Sequence, residues 1–239
     1  MQRFKVQIVL FQVLKASYFN LNLRLKCIKM LLEGNVLILA PHTDDGELGC
    51  GGTISRLLEE GNEVFYLAFS ICEESVPEGF PKNALETEVK KATAHLGIPA
   101  KNLILKNYPV RKFQSFRQEI LEDLVKIRGV INPTTIFMPS SRSLHQDHQT
   151  IYEEGMRAFK HFTCFGYDLP WDTINFSTTA FYKLEERHIQ KKCEALAFYE
   201  TQNFRTYCDA DFIKGLARVR GAQIAVKYAE SFELLRSVK

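Results

Sequence analysis

What this sequence of 239 residues lacks already narrows the classes of protein to which it can belong. It has no long basic run and a formal net charge of only +3, so its charge gives no indication of a nucleic-acid partner. No stretch reaches the roughly 18 apolar residues of a membrane span, and no repeat or linker is evident. With 46% hydrophobic residues, the chain is able to bury one substantial core.

The cysteines form no CxxC or CxC pair, which are the spacings typical of zinc ribbons and redox motifs. Several lie within apolar stretches, where cysteine behaves as a small hydrophobic residue. We therefore interpret them as reduced thiols and expect a cytoplasmic protein, with a disulfide framework as the second interpretation. The six cysteines are Cys27, Cys50, Cys72, Cys164, Cys193 and Cys208.

Residues 1–34 are interpreted as an N-terminal amphipathic extension that precedes a single domain over residues 35–239. Polar residues such as Lys5 and Gln12 interrupt its apolar run, and no small-residue cleavage site follows, so a signal peptide is not favoured. We expect this segment to pack on the domain or on another subunit of a homo-oligomer. Attachment at a membrane interface is the alternative.

From residue 35 onward, apolar runs of strand length alternate with stretches of helical period. Strands are predicted at residues 35–40, 64–69, 102–106, 134–138 and 178–184, and helices around residues 54–58, 85–96, 115–128, 147–159, 186–200 and 211–227. Residues 166–175 are predicted to form a loop or insertion. Since the first strand is apolar throughout, it suits a parallel sheet covered on both faces. The pattern predicts a Rossmann-like three-layer α/β/α sandwich with a mostly parallel sheet.

Two short polar clusters follow predicted strands. His42 and Asp45 follow the first strand, and His145 and His148 lie shortly after the fourth. Ligands of open α/β sheets bind beyond the carboxyl ends of the strands, so we expect both clusters at one edge. Within each cluster, residues three positions apart in a tight turn or a first helical turn can be aimed at a common point.

Together the clusters offer the three nitrogen and oxygen ligands of an open catalytic zinc site. A carboxylate and an imidazole are left over for proton transfer. A structural zinc site would instead be closed by four protein ligands, usually including cysteines. Because imidazole and carboxylate also bind iron and other divalent ions, the residues alone do not fix the metal. The pattern favours an enzyme.

Each of these side chains also has a purely structural interpretation. His42 could be a hydrogen-bonded core histidine. Asp44 or Asp45 could cap the helix after the first cluster, and Asp147 could cap the next. Singly, each structural interpretation is preferred; together, at the ends of two strands, the residues favour a metal site. A non-catalytic sugar- or nucleotide-binding module on the same scaffold stays open.

Glycines follow the first cluster in the spacing Gly46-x-x-Gly49-x-Gly51-Gly52, which invites a phosphate-binding interpretation. The spacing is not GxGxxG, and no acidic residue ends the second strand, so dinucleotide binding is not favoured. We expect these glycines to let the backbone turn sharply beside the metal.

The clusters and their surroundings resemble a known family. Residues 41–54, PHTDDGELGCGGTI, resemble the AHPDDxExGxGGT motif of the LmbE-like, or PIG-L-like, zinc de-N-acetylases, and residues 145–148, HQDH, resemble their HxDH motif. Residues 192–202 resemble the family's KxxALxxYxSQ helix, and residues 228–232 resemble its YAExF ending. The family includes N-acetylglucosaminyl-phosphatidylinositol deacetylases and deacetylases of the mycothiol and bacillithiol pathways. Thr43 stands where the motif has proline.

The resemblance implies a zinc-dependent hydrolase. Its substrate would be an N-acetylglucosamine-type sugar or glycoconjugate, whose N-acetyl group is removed by metal-activated water. The resemblance further implies His42, Asp45 and His148 as the ligands of Zn²⁺, and Asp44 as the general base. Cleavage of a larger sugar-linked amide is the alternative reaction.

The resemblance also implies that His145 is the imidazole that stabilises the oxyanion and that Asp147 supports it. We expect a hydrogen bond between Asp147 and His145, which would keep the imidazole charged and oriented.

Two further residues are candidates for contacts with a small amino-sugar substrate. Arg111 follows the third predicted strand, and its planar guanidinium suits a phosphate or hydroxyl group. A solvated surface arginine is the equal alternative. Trp171, on its predicted loop, could stack on a sugar ring or could pack within the protein.

Overall fold

The structure, a computed structural model, describes residues 34–238. The predictions for residues 1–33, namely the amphipathic extension, its subunit contact and its membrane alternative, lie outside the described residues. So does Cys27, whereas the five cysteines of the described part are free thiols, as predicted. None of the described helices is both long and apolar enough to span a membrane.

Seven strands and six α-helices make up the described part of the chain. In order they are β1 (Asn35–Ala40), α1 (Asp45–Glu59), β2 (Glu63–Ala68), α2 (Ala84–Leu96), β3 (Leu103–Leu105), α3 (Arg117–Ile131), β4 (Thr135–Pro139), α4 (Gln146–Ala158), β5 (Thr163–Tyr167), β6 (Ala180–Leu184), α5 (Glu186–Leu196), α6 (Ala210–Ala222) and β7 (Tyr228–Arg236). Short 3₁₀ turns lie at Glu73–Ser75, Ala100–Asn102, Phe113–Phe116, Glu200–Gln202 and Thr206–Cys208.

The strands form one sheet in the order β3-β2-β1-β4-β5-β7-β6, in which the first five are parallel and β7 is antiparallel to both neighbours. Val36 and Ile38 of β1 face a core shared with α1, α2, α5 and α6. Leu37 and Leu39 face the opposite core, shared with α3 and α4. The predicted three-layer sandwich with a mostly parallel sheet is therefore confirmed.

The strands β5 and β7 were not predicted from the sequence. The loop prediction for residues 166–175 is wrong at Gly166 and Tyr167, which belong to β5, and the last predicted helix ends at Ala222 instead of residue 227. The acidic residues Glu230 and Glu233 gave β7 the pattern of a solvated segment, because charged side chains are rarely buried without a partner. Both have partners in the fold, so the segment can close the sheet.

The glycines of α1 allow other side chains to approach its backbone closely. A Cβ atom would lie 2.5 Å from the ring of Tyr66 at Gly46, and 2.5 Å from the ring of Tyr167 at Gly49. Neither glycine has a positive φ, so the expectation that they form a sharp turn beside the metal is wrong. Their role is to let two buried tyrosines pack against the start of the helix.

A buried ion pair, Lys192 with Glu230, forms hydrogen bonds with the backbone of α1 where this helix is interrupted. At Cys50, φ is −147° and ψ is 24°, which is not helical. Beyond it, the N–H groups of Gly52 and Thr53 donate to the Glu230 carboxylate at 3.1 and 2.7 Å, while Lys192 donates at 2.7 Å to a carbonyl of the preceding turn. Lys192 and Glu230 bond each other at 2.6 Å. The pair thus supplies the hydrogen bonds that the broken helix lacks.

Candidate metal centre and active site

Both polar clusters lie at the carboxyl edge of the sheet, as predicted. β1 and β4 pair side by side, and each is followed by a short loop that leads into α1 and α4. Asp45 is the first residue of α1, and His148 lies in the first turn of α4. The N-termini of two helices therefore converge where the clusters meet.

Three side-chain atoms form a nearly equilateral triangle. Oδ2 of Asp45 lies 3.0 Å from Nδ1 of His42 and 3.2 Å from Nε2 of His148, and the two nitrogens are 3.3 Å apart. Tetrahedral zinc with bonds of about 2.0–2.1 Å would hold its ligand atoms roughly 3.3–3.4 Å apart. The donor set and its spacing therefore fit a tetrahedral divalent metal.

The second nitrogen of each imidazole contacts a carboxylate. Nε2 of His42 lies 3.1 Å from Oδ2 of Asp147, and Nδ1 of His148 lies 3.0 Å from Oδ2 of Asp172. Such carboxylate–histidine pairs fix the ring orientation and raise the basicity of the nitrogen that faces a metal. Both inner nitrogens are thereby directed into the triangle.

Asp172 is a site residue that the sequence analysis missed. It lies in the segment after β5, and its backbone accepts a hydrogen bond from Leu144 at 2.9 Å while Ser143 donates to its carboxylate. A single aspartate in an irregular segment carries no pattern. The only signal was its position beside Trp171.

Asp147 supports His42 and not His145, so the predicted hydrogen bond between the Asp147 carboxylate and His145 is wrong. The carboxylate is fully buried and also accepts from the backbone N–H groups of Arg111 at 2.5 Å and Phe113 at 3.2 Å. These contacts depress its pKa against the opposing effect of burial. Nor does Asp147 cap α4, because the capping side chain is that of His145.

His145 is held as a neutral donor. Its Nδ1 accepts a hydrogen bond from the backbone N–H of Asp147 at 3.1 Å, so a neutral ring carries its proton on Nε2. Burial, followed by the charges of His148 and His42, lowers the pKa of His145 to about 4. The hydrogen bond that Nδ1 accepts therefore disagrees with the expectation of a charged imidazole.

Asp44 borders the triangle but is not tied to the helix. It occupies the N-cap position of α1, yet its side chain makes no capping hydrogen bond. Burial, followed by the charge of Asp45, raises the pKa of Asp44 to about 6. This carboxylate is thus available to a ligand and can exchange a proton near neutral pH.

A buried hydrogen-bond cluster fixes the loop that carries His42 and Asp44. The hydroxyl groups of Tyr66 and Tyr199 donate to the Thr43 carbonyl at 2.9 and 2.7 Å. Both hydroxyls also contact the Glu47 carboxyl group, whose pKa is raised to about 8 by burial. These hydrogen bonds fix the backbone at Thr43, between His42 and Asp44.

Each side chain of the triangle shifts the pKa of the other two. Although burial lowers it, the pKa of His42 is raised well above its usual value by the charge of Asp45 and by hydrogen bonds to Asp147 and Asp45. The pKa of His148 is raised to about 9, because Asp45 and Asp172 outweigh the effect of burial. The pKa of Asp45 is lowered against burial by the same two histidines. A metal must displace these imidazole protons.

A pocket of about 250 Å³ opens above the triangle. It is near the lower limit of ligand pockets, which hold about 300–1,000 Å³. Arg111 and Trp171 line it, as predicted, but one face of the Trp171 ring is stacked on Tyr207 at 3.9 Å and 6°. Arg205 and Gln202 also line it and were not predicted. Both follow α5. Gln202 ends the segment that resembles the family helix, whereas Arg205 lies beyond it, and neither side chain gave a separate signal.

His42, His145 and His148 form a cluster that could hold a metal ion, with ligand atoms within 4.8 Å of one another. The triangle with Asp45 is tighter than this trio of histidines. Fold and site thus define a Rossmann-like α/β protein with a candidate metal centre at the carboxyl edge of its sheet.

The family described as PIG-L, GlcNAc-PI de-N-acetylase, matches residues 37–159, which include both polar clusters. The chain belongs to this family of de-N-acetylases, and the resemblance read from its motifs is confirmed.

Relatives and solved structures agree with this membership. Over 174 residues, the chain is 26% identical to the uncharacterized deacetylase YaiS of Escherichia coli (strain K12), covering 67% of this chain and 88% of that protein. The crystal structure of the conserved protein TT1542 from Thermus thermophilus superposes with a TM-score of 0.70 at 25% identity, covering 85% of this chain and 95% of that one. The N,N'-diacetylchitobiose deacetylase from Pyrococcus horikoshii shares the fold, with a TM-score of 0.67 at 19% identity and coverage of 83% and 82%.

Proposed function

We propose that this protein is a zinc-dependent hydrolase that removes the N-acetyl group from an N-acetylglucosamine-type sugar or glycoconjugate. Family membership supports de-N-acetylation. The observation that carries the proposal is the triangle of His42, Asp45 and His148, whose spacing fits tetrahedral zinc and whose histidines are each backed by a carboxylate. We further propose that residues 35–239 form the catalytic domain of a cytoplasmic, homo-oligomeric enzyme and that residues 1–34 are an amphipathic extension before it.

In this proposal, His42, Asp45 and His148 would hold the zinc ion. Zinc, when bound, lowers the pKa of water to about 7 and polarises a carbonyl oxygen. The Asp44 carboxylate, which lines the same pocket, would accept a proton from the attacking water and return it to the nitrogen of the leaving amine. Its pKa of about 6 suits a group that takes up and later returns a proton near neutral pH.

His145 donates a hydrogen bond from Nε2 to the carbonyl oxygen as negative charge develops there. Because its Nδ1 accepts from a backbone N–H, a neutral ring would carry its proton on Nε2 and could donate to a ligand in the pocket that His145 lines. Removing one such donor typically reduces turnover by about 10²–10³-fold. Asp147 acts indirectly, since it orients His42 and the backbone at Arg111.

The proposal is tested by measuring acetate release from free, nucleotide-linked and lipid-linked N-acetylhexosamines, with metal content determined on the same sample. We expect stoichiometric zinc and acetate release from at least one class. Release of a larger acyl group, with no acetate, would assign the amidase reaction instead. Bound sugar without any hydrolysis by the metal-loaded protein would assign a non-catalytic binding module.

A further inference from the structure

We propose that the substrate carries an anionic group, phosphate or carboxylate, which Arg205 binds at the rim of the pocket with Arg111 as a second cation. This inference deepens the proposed function and rests on it for the sugar. It identifies Arg205 as the residue that selects the substrate.

Arg205 lines the pocket, and only two of its three guanidinium nitrogens form hydrogen bonds with residues 34–238. Its Nε donates to Oε1 of Gln202 at 2.5 Å, and its Nη1 donates to the hydroxyl of Tyr207 at 2.5 Å. Arginine has five N–H donors, and its Nη2 has no hydrogen-bond partner among residues 34–238. The free donors of such a fork suit the oxygen atoms of a phosphate or carboxylate.

The surroundings of Arg205 hold it in place before any ligand binds. Gln202 is 5% exposed and donates to Oγ1 of Thr201 at 3.1 Å, and Thr201 in turn bonds the buried Glu88 carboxylate at 2.6 and 3.0 Å. On the other side, the guanidinium lies 5.5 Å from the ring centre of Tyr207. A pre-ordered side chain loses less conformational entropy on binding, which favours a role in ligand binding.

Arg205 also has no carboxylate partner among residues 34–238. Arg117 and Arg220 each have a carboxylate within 2.8 Å. No acidic side chain of the described part lies within ion-pair distance of Arg205 or Arg111. Arg205 nonetheless belongs to the site, because it lines the same pocket as Asp44 and Arg111. The rim therefore presents two positive charges that are not in direct contact with any carboxylate of the described residues.

Arg111 is held at the same rim by its backbone. Its φ is 64°, a left-handed conformation that is unfavourable for a residue with a side chain, and the Asp147 carboxylate holds its N–H at 2.5 Å. Strained backbone of this kind concentrates at functional sites. The guanidinium is exposed and lines the pocket, so it is free to contact a charged group beside the sugar.

The test compares neutral and charged sugars that share the N-acetylglucosamine ring. Trp171, the only tryptophan, is stacked on Tyr207, so its fluorescence reports binding beside Arg205. Zinc-loaded protein is mixed rapidly with N-acetylglucosamine, with its 1-phosphate and 6-phosphate, and with N-acetylmuramic acid, which carries a carboxylate. We expect at least one charged sugar to bind about 10–100-fold more tightly than the neutral one, the range for a hydrogen bond between charged groups.

The preference is then measured in Arg205→Gln, with Arg218→Gln as the matched control on the exposed surface of α6. We expect the preference to fall about tenfold or more in R205Q and to persist in R218Q. Equal affinity for neutral and charged sugars in the unaltered protein overturns the proposal. A preference that persists in R205Q also overturns it, because the anion would then be bound by a group other than Arg205. Since binding is read before turnover, absence of deacetylation contradicts the proposed function and leaves this result intact.

Discussion

At the scale of single residues, the imidazoles of the site depend on two carboxylates from different parts of the chain. Asp147 holds His42 from α4, while Asp172 holds His148 from the segment after β5. Each carboxylate fixes a ring so that its inner nitrogen points toward Asp45. The geometry of the proposed centre therefore depends on residues that do not themselves contact the metal.

Replacing either supporting carboxylate should weaken metal binding without removing a ligand. We expect Asp147→Asn and Asp172→Asn each to lower the affinity for zinc about 10–100-fold, because the amide binds the imidazole N–H less strongly. Competition with a coloured chelator measures the affinity. Unchanged affinity in both variants would contradict the assignment of His42 and His148 as ligands.

Replacing Asp44 should separate chemistry from metal binding. We expect Asp44→Asn to reduce kcat about 10²–10⁴-fold, the usual contribution of a general base, while zinc content stays at the level of the unaltered protein. Acetate release and metal analysis on one sample measure both. Asp211→Asn, which removes one exposed carboxylate from α6, is the control for net charge. Full activity of D44N would assign the base to another residue.

At the scale of elements, α1 is the helix on which the site is built. Tyr66 and Tyr199 hold the loop before it, Tyr167 packs against Gly49, and Lys192 and Glu230 complete its interrupted hydrogen bonds. Each contact requires that a side chain come close to the helix backbone. The position of Asp44 and Asp45 is thereby set by β2, β5, α5 and β7 together.

Adding one methyl group to this helix should therefore destabilise the protein. In Gly49→Ala, the new Cβ would lie 2.5 Å from the Tyr167 ring, so we expect a loss of about 1–3 kcal/mol in unfolding free energy. The matched control is Gly215→Ala in α6, where nothing lies within 4 Å of the added atom. There we expect a gain of about 0.5–1 kcal/mol, because alanine favours the helix. Urea unfolding measures both, and equal effects would contradict the packing argument.

Part of the site could be predicted from the sequence, and the remainder depends on long-range packing. His42, Asp45 and His148 lie at strand ends, and strands are recognisable from local apolar patterns, so their convergence could be predicted. Asp172 and Arg205 could not, because each is a single polar residue in an irregular segment that reaches the site only in the folded chain. β7 was missed for a related reason, since the partner that buries Glu230 lies 38 positions away.

At the scale of the whole molecule, the proposed metal would connect two distant segments of the chain, which follow the adjacent parallel strands β1 and β4. His42 and Asp45 follow β1, whereas His148 follows β4, 106 positions beyond His42. An ion bound by all three stabilises only the folded chain. Metal content should therefore determine thermal stability as well as activity.

Removing the metal with a chelator should lower the unfolding temperature. Free zinc at about 100 times its dissociation constant adds roughly 2.7 kcal/mol to the unfolding free energy, which corresponds to about 5–10 °C for a domain of this size. Differential scanning calorimetry with and without zinc measures the shift. We expect His148→Ala to lose most of it. Equal unfolding temperatures in the unaltered protein would contradict a metal site in the native fold.

The separation of the site residues along the chain has a consequence for folding. The three proposed ligands meet only after β1 and β4 have paired, and Asp172 joins only after β5 has formed. An unfolded or partly collapsed chain therefore lacks the complete set of ligands, and the cation binds late in folding. The refolding rate should then be the same with or without zinc, whereas the unfolding rate should be lower in its presence.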